Sequence, residues 1–146
     1  MAVTDSTPGQ CDEGSATIAE ENNAIEGFQR RIDERLTARN YTETARFGIR
    51  LALEEAIMNG FHHGNQKDPG KRVEVRWQIS SDVATFHVID QGEGFDPDAV
   101  PDPTLDENLE IPSGRGIMLI RTYMSQAFYH TPGNHLEMHY RKPVTK

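Results

Sequence analysis

Apolar positions along the chain recur with two different periods, and the breaks between them are polar. Ile25, Phe28, Ile32 and Leu36 stand three or four apart, which predicts an amphipathic helix running to about Arg39, where Asn40 ends it. Thr42 is placed to cap a second helix, whose apolar face is Ala45, Ile49, Ala52, Leu53, Ala56, Ile57 and Phe61. Gly64 fits its stop, because a left-handed cap suits glycine. The period then drops to two: Val73, Val75, Trp77 and Ile79 alternate with Arg72, Glu74, Arg76 and Gln78, the pattern of a half-buried strand. Ser80-Ser81-Asp82 turns the chain into Val83–Ile89, with Ala84, Phe86 and Val88 on one face. A third helical run carries Ile117, Leu119, Ile120, Tyr123 and Met124. Ala127–His130, a Thr-Pro-Gly-Asn turn and His135–Lys142 form a closing hairpin in which Leu136, Met138 and Tyr140 alternate. Ser15–Ile18 reads as a short edge strand. Residues 1–14 are rich in Ser, Thr, Pro, Gly and Asp with little to bury, and are expected to be a disordered tail.

Composition narrows the class of protein. The 146 residues suit one domain with a real core. With 23 acidic against 15 basic residues, the net charge is −8, which argues against nucleic-acid binding because that needs a basic face. A single cysteine, Cys11, excludes an internal disulfide framework and fits a reducing compartment. No apolar run is long enough to span a membrane, and the first residues lack the order of a signal peptide, so the expected location is cytoplasmic.

Three polar segments interrupt these patterns. Glu55 and Asn59 lie four apart on the second helix, so their side chains stack one turn above the other. Together they can hold one small target, such as a hydrated cation and its ligand, or they can form a solvated face. Asp90-Gln91-Gly92-Glu93-Gly94 ends the second long strand, where alternate glycines serve either an ordinary loop or a close backbone approach. Ser113-Gly114-Arg115-Gly116 opens the third helix, and exposed N–H groups at the positive end of a helix suit phosphate, unless Ser113 is only an N-cap. The stretch between, residues 97–112, holds four prolines and five acids without a period. At that length it is expected to be a lid or binding segment.

In order and in kind, these segments resemble the three nucleotide-binding boxes of the GHKL, or Bergerat-fold, ATPase superfamily. Glu55-Ala-Ile-Met-Asn59 looks like its N box, Asp90-Gln-Gly-Glu-Gly94 like its first glycine box and Gly114-Arg-Gly-Ile117 like its second. Within that superfamily, Glu55-Ala-Ile-Met-Asn59-Gly-Phe-His-His63-Gly64 is most similar to the anti-sigma-factor serine/threonine kinases. Gly60 stands where they usually carry alanine, and Ile117 where they carry leucine. A glycine inside a helix costs about 1 kcal/mol, so loosening is expected at Gly60.

The resemblance implies an α+β fold: a two-layer α/β sandwich whose mixed, mainly antiparallel sheet is covered on one face by helices. One domain would span residues 15–142, with a mobile lid at about 97–113. ATP and Mg²⁺ are the implied cofactors. Asp90 would select adenine, accepting from an amino group where guanine presents a carbonyl. Gly92 and Gly94 would let the loop pass close to base and sugar, and Asn59 would ligate Mg²⁺. Gly114, Arg115 and Gly116 would wrap the β- and γ-phosphates, with Arg115 serving either phosphate or a protein partner. Glu55 is the candidate general base, for a protein hydroxyl or for water alike. His63 matches the family histidine, in a packing or capping role rather than a catalytic one. The implied partners are a sigma factor and an anti-anti-sigma protein of the STAS type, with the chain itself a homodimer. Two alternatives stand beside the kinase: a non-catalytic, nucleotide-gated binding module, and an ATP-binding domain working with a separate histidine phosphoacceptor. No histidine precedes His62, which disfavours a self-contained sensor histidine kinase.

Overall fold

The computed structural model describes residues 3–5, 11–64, 70–92, 112–130 and 134–143. Six strands form one sheet: β1 (Val3–Asp5), β2 (Cys11–Ile18), β3 (Val73–Ser80), β4 (Val83–Asp90), β5 (Gln126–His130) and β6 (His135–Arg141). Their order across the sheet is β1-β2-β3-β4-β6-β5. Three α-helices accompany it: α1 (Asn22–Ala38), α2 (Glu43–Asn59) and α3 (Pro112–Tyr123), with a π-helical turn at Gly60–Gly64 continuing α2.

The helices cover one face of the sheet. Phe28, Ile32 and Leu36 of α1, the α2 stripe from Ala45 to Ile57, and Ile120 of α3 are buried against Val73, Val75, Trp77, Ile79, Phe86, Val88, Leu136 and Met138 of the strands. The Phe28 and Trp77 rings meet at 5.9 Å. Both helical periods and both long strands therefore fall on the faces their spacing predicts. Asn40 sits at φ 63 just past α1, and Tyr41 N–H reaches back to the Leu36 carbonyl, closing the helix end. Thr42 caps α2, its side chain accepting from Ala45 N–H at 3.1 Å.

Several expectations are corrected. The sheet is not mixed among the described residues: every pair is antiparallel, because β1–β2, β3–β4 and β5–β6 are direct hairpin neighbours and β4–β6 and β2–β3 also run opposed. Residues 1–14 are not all tail, and Ser15–Ile18 is not a short edge strand. The strand begins at Cys11 and pairs with β3 along its whole length, with β1 outside it. Local composition hid this because the strand is held by partners distant in sequence: β3 pairs with it throughout, and Arg35 Nη1 of α1 donates to both Asp12 oxygens at 2.8 and 3.0 Å. Residues 97–111 of the expected lid lie outside the described residues; Pro112 and Ser113 already belong to α3. Among the described residues, no helix is long and apolar enough to cross a membrane.

Candidate functional site

The end of α2 is pressed onto the ends of β3 and β4. Gly60 makes this possible. A Cβ there would stand 3.0 Å from Val73 Cγ2 and 3.6 Å from Asp90 Cβ, and Val73 faces Asp90 across the β3–β4 pair. Gly60 keeps right-handed dihedrals (φ −58, ψ −45). The chain passes from α into a π-turn directly after Asn59, where loosening was expected, and the described helical run ends at Gly64. Asn59, one residue before this contact, is the last α-helical residue, and its neighbour rests against Asp90. Glu55 lies one turn earlier, half-buried, whereas Glu54 is exposed and lines a groove shared with Asn22, Gln29 and Arg50.

Asn59 Nδ2 is buried and has no hydrogen-bond partner among the described residues. A buried amide donor left unpaired costs about 1–3 kcal/mol, so it calls for an acceptor, which a phosphate oxygen would supply. Asp90 ends β4 half-buried. Burial pushes its carboxyl above the ordinary 3.8, opposed by the Gly92 N–H, which donates to Oδ1 at 2.8 Å, and by the Lys71 charge. That bond engages one carboxylate oxygen and leaves the other as an acceptor. The backbone of Asp90 is held by Asn134, which accepts from Asp90 N–H at 2.9 Å and donates through Nδ2 to Asp90 O at 3.1 Å.

Tyr129 completes the group. It lies on the helix-facing side of β5, and burial, reinforced by the charges of Asp90 and Glu55 and offset by Arg121, pushes its phenol up to about 12. One side chain thus feels both carboxylates. Sequence reading missed Tyr129 and Asn134. Tyr129 was legible only as the alternation partner of Ala127, and Asn134 only as a turn residue.

The remaining candidates are placed less fully. Gly114, Arg115 and Gly116 fall inside the first turns of α3 rather than ahead of it, with Pro112 at the helix start, where its missing N–H costs nothing. The side chain of Arg115 lies outside the described residues, as do the side chain of His63 and all of Gly94; the backbone at His63 belongs to the π-turn. His62 stands with Nε2 3.4 Å from Glu20 Oε2. The donor set fits a Mg²⁺-bound purine triphosphate. A desolvated carboxylate suits an amino group, an orphaned amide suits the phosphates, and a second carboxylate stands one helical turn from that amide.

Residues 18–140 match the family model described as a histidine kinase-like ATPase domain. None of the curated proteins compared with the chain matches it.

Proposed function

The chain belongs to the histidine kinase-like ATPase domain family, and from that premise we propose that it is an ATP-dependent serine/threonine protein kinase and anti-sigma factor. In this reading it binds a sigma factor and phosphorylates a STAS-type anti-anti-sigma antagonist. The observation that supports it most is the placing of Glu55 one helical turn before Asn59, with Gly60 directly after it set against Asp90. A carboxylate is thereby set beside the residue that holds the metal and phosphates.

The adenine amino group donates to the free oxygen of Asp90. Asn59 would hold Mg²⁺ through its side-chain oxygen and a phosphate oxygen through Nδ2. Such an ion would supply neutralisation of the charge that builds during transfer. The N–H groups opening α3 face the β- and γ-phosphates. Glu55 accepts the proton of the acceptor serine as its oxygen bonds the γ-phosphorus, while the bond from that phosphorus to the β–γ bridging oxygen breaks and ADP leaves. Phosphate on the antagonist adds about −1.5 to −2 of charge and drives it from an acidic kinase surface. The sigma factor then occupies the overlapping face, on a cytoplasmic homodimer.

The test is incubation with labelled ATP·Mg²⁺ and candidate STAS-domain proteins, wild type beside Glu55→Gln. Phosphoserine on the antagonist, lost in the variant while ATP still binds, supports the kinase reading. ATP binding without transfer to any protein leaves the nucleotide-gated module. Label transferred to a histidine points to the separate phosphoacceptor arrangement.

A further inference from the structure

The face of the sheet opposite the helices carries a cluster that the nucleotide site does not use. Antiparallel pairing and the period of two bring His87 of β4, His135 of β6 and His130 of β5 onto that face. His130 pairs directly with His135, and His87 sits diagonal to it, opposite Glu137. One ring nitrogen from each of the three lies within 4.8 Å of the other two. His87 Nδ1 and His135 Nε2 are 2.8 Å apart, and the His130 and His135 rings are 4.4 Å apart. Glu137 stands among them, with Oε1 2.8 Å from His130 Nε2 and 3.8 Å from His87 Nδ1, while its other oxygen pairs with His139 Nε2. His139 is itself fixed by Thr85 Oγ1 at 3.0 Å.

We infer that His87, His130 and His135 form a binding site for a divalent transition ion of the zinc class, with Glu137 orienting the ligand set from the same face. Imidazole nitrogens suit zinc, copper and nickel, and three of them are a usual protein share of a four-coordinate site. Zinc–nitrogen bonds of about 2.0–2.1 Å put tetrahedral ligand atoms roughly 3.3 Å apart. The His87–His135 pair therefore opens by about half an ångström and the third ring moves in, within the freedom of partly exposed side chains. A carboxylate bonded to a ligand imidazole, as Glu137 is to His130, is the arrangement that fixes its tautomer and raises its basicity. The nearby Arg76 charge, which disfavours a cation, is itself paired with Glu74 at 3.0 Å. The site is separate from the nucleotide recess, so it stands whether or not the chain is a kinase.

The test uses the full chain, tag removed and treated with chelator, titrated with Zn²⁺ against a chromophoric competitor without nucleotide. One ion per chain is expected. His87→Gln, His130→Gln and His135→Gln should each weaken it at least tenfold and Glu137→Gln about 10- to 100-fold. His62→Gln and Cys11→Ser should bind as wild type does. Zinc binding unchanged by the three cluster variants, or abolished by His62→Gln or Cys11→Ser, overturns the assignment. Co²⁺ added to the wild type gives a readout independent of variant folding. Intense visible bands of a four-coordinate nitrogen-ligated ion support the site, and only the weak bands of hexa-aquo cobalt overturn it.

Discussion

Replacing Asp90 by Asn separates what that carboxylate does for the fold from what it does for a ligand. The side chain sits half-buried at the end of β4, one oxygen accepting from Gly92 N–H at 2.8 Å, with burial raising its pKa above 3.8. An acid whose folded pKa lies above its unfolded value holds its proton longer when folded. Stability is then lost as pH rises from the unfolded value through the folded one, and the loss persists at neutral pH. Asparagine keeps an oxygen for Gly92 and removes the charge. The apo variant should therefore melt at or above the wild-type temperature at pH 7, with the difference vanishing below about pH 4. Nucleotide affinity should move the other way. A hydrogen bond to a charged acceptor is worth about 1.5–3 kcal/mol, and the variant instead turns an NH₂ toward the adenine amino group. At tenfold per 1.4 kcal/mol, ATP affinity should fall about 10- to 100-fold, with the preference over GTP falling in parallel. Calorimetric titration with both nucleotides and melting curves across pH measure the two halves. An unchanged ATP affinity, or an equal loss for GTP, refutes the adenine assignment, and a variant that melts lower at pH 7 refutes the desolvation account.

Three further outcomes follow from the same geometry. Glu55→Gln should lower the phosphoryl-transfer rate by about 10²–10⁴ while ATP affinity stays within a few-fold, since the general base acts on the acceptor; a matched loss of both, seen in single-turnover assays, contradicts that role. Thr42→Ala removes the acceptor for Ala45 N–H and should cost about 1 kcal/mol, read as a lower urea midpoint with unchanged slope. Gly48→Ala puts a Cβ 3.0 Å from Tyr123 Cδ1 and 3.3 Å from its Cβ, so α3 is pushed off α2. A stability loss of about 1–3 kcal/mol is expected, and pairing it with Tyr123→Ala should recover most of it in a double-mutant cycle.

Where side chains alternate or recur against a buried face, the sequence was a sufficient guide. Val73 to Ile79 and Ala45 to Phe61 point where their spacing says, because a single core dictates both. Glu55 and Asn59 were legible for the same reason, being four apart on a helix already defined by its apolar stripe. The start of β2 was not, because Cys11–Gly14 owes its structure to four residue pairs with β3, and partners distant in sequence leave no local trace. Tyr129 and Asn134 were hidden likewise: each matters to Asp90 only through the β4–β6–β5 order, which no short stretch announces. The histidine cluster is the clearest case. His87, His130 and His135 are unremarkable singly and converge only through register.

Gly60 shows why the end of α2 has the form it does. Glu55 and Asn59 stack only if the α-helix stays regular through position 59. One residue later the backbone must come within side-chain distance of Val73 and Asp90, which a Cβ resists because Val73 is buried and branched, with few rotamers to yield. A residue without a side chain satisfies the second demand and weakens the helix at that point. The π-turn therefore begins at Gly60 and not earlier. Regularity before it fixes the carboxylate above the amide, and the relaxation after it lets Phe61 reach the core while the helix end stays against β4. Placing an alanine at position 60 together with Val73→Ala should keep the contact, whereas alanine at position 60 alone should lift the helix end from Asp90 and weaken nucleotide binding along with stability. If the single change leaves ATP affinity and melting temperature as they are, the close approach is not what holds the two halves of the site together.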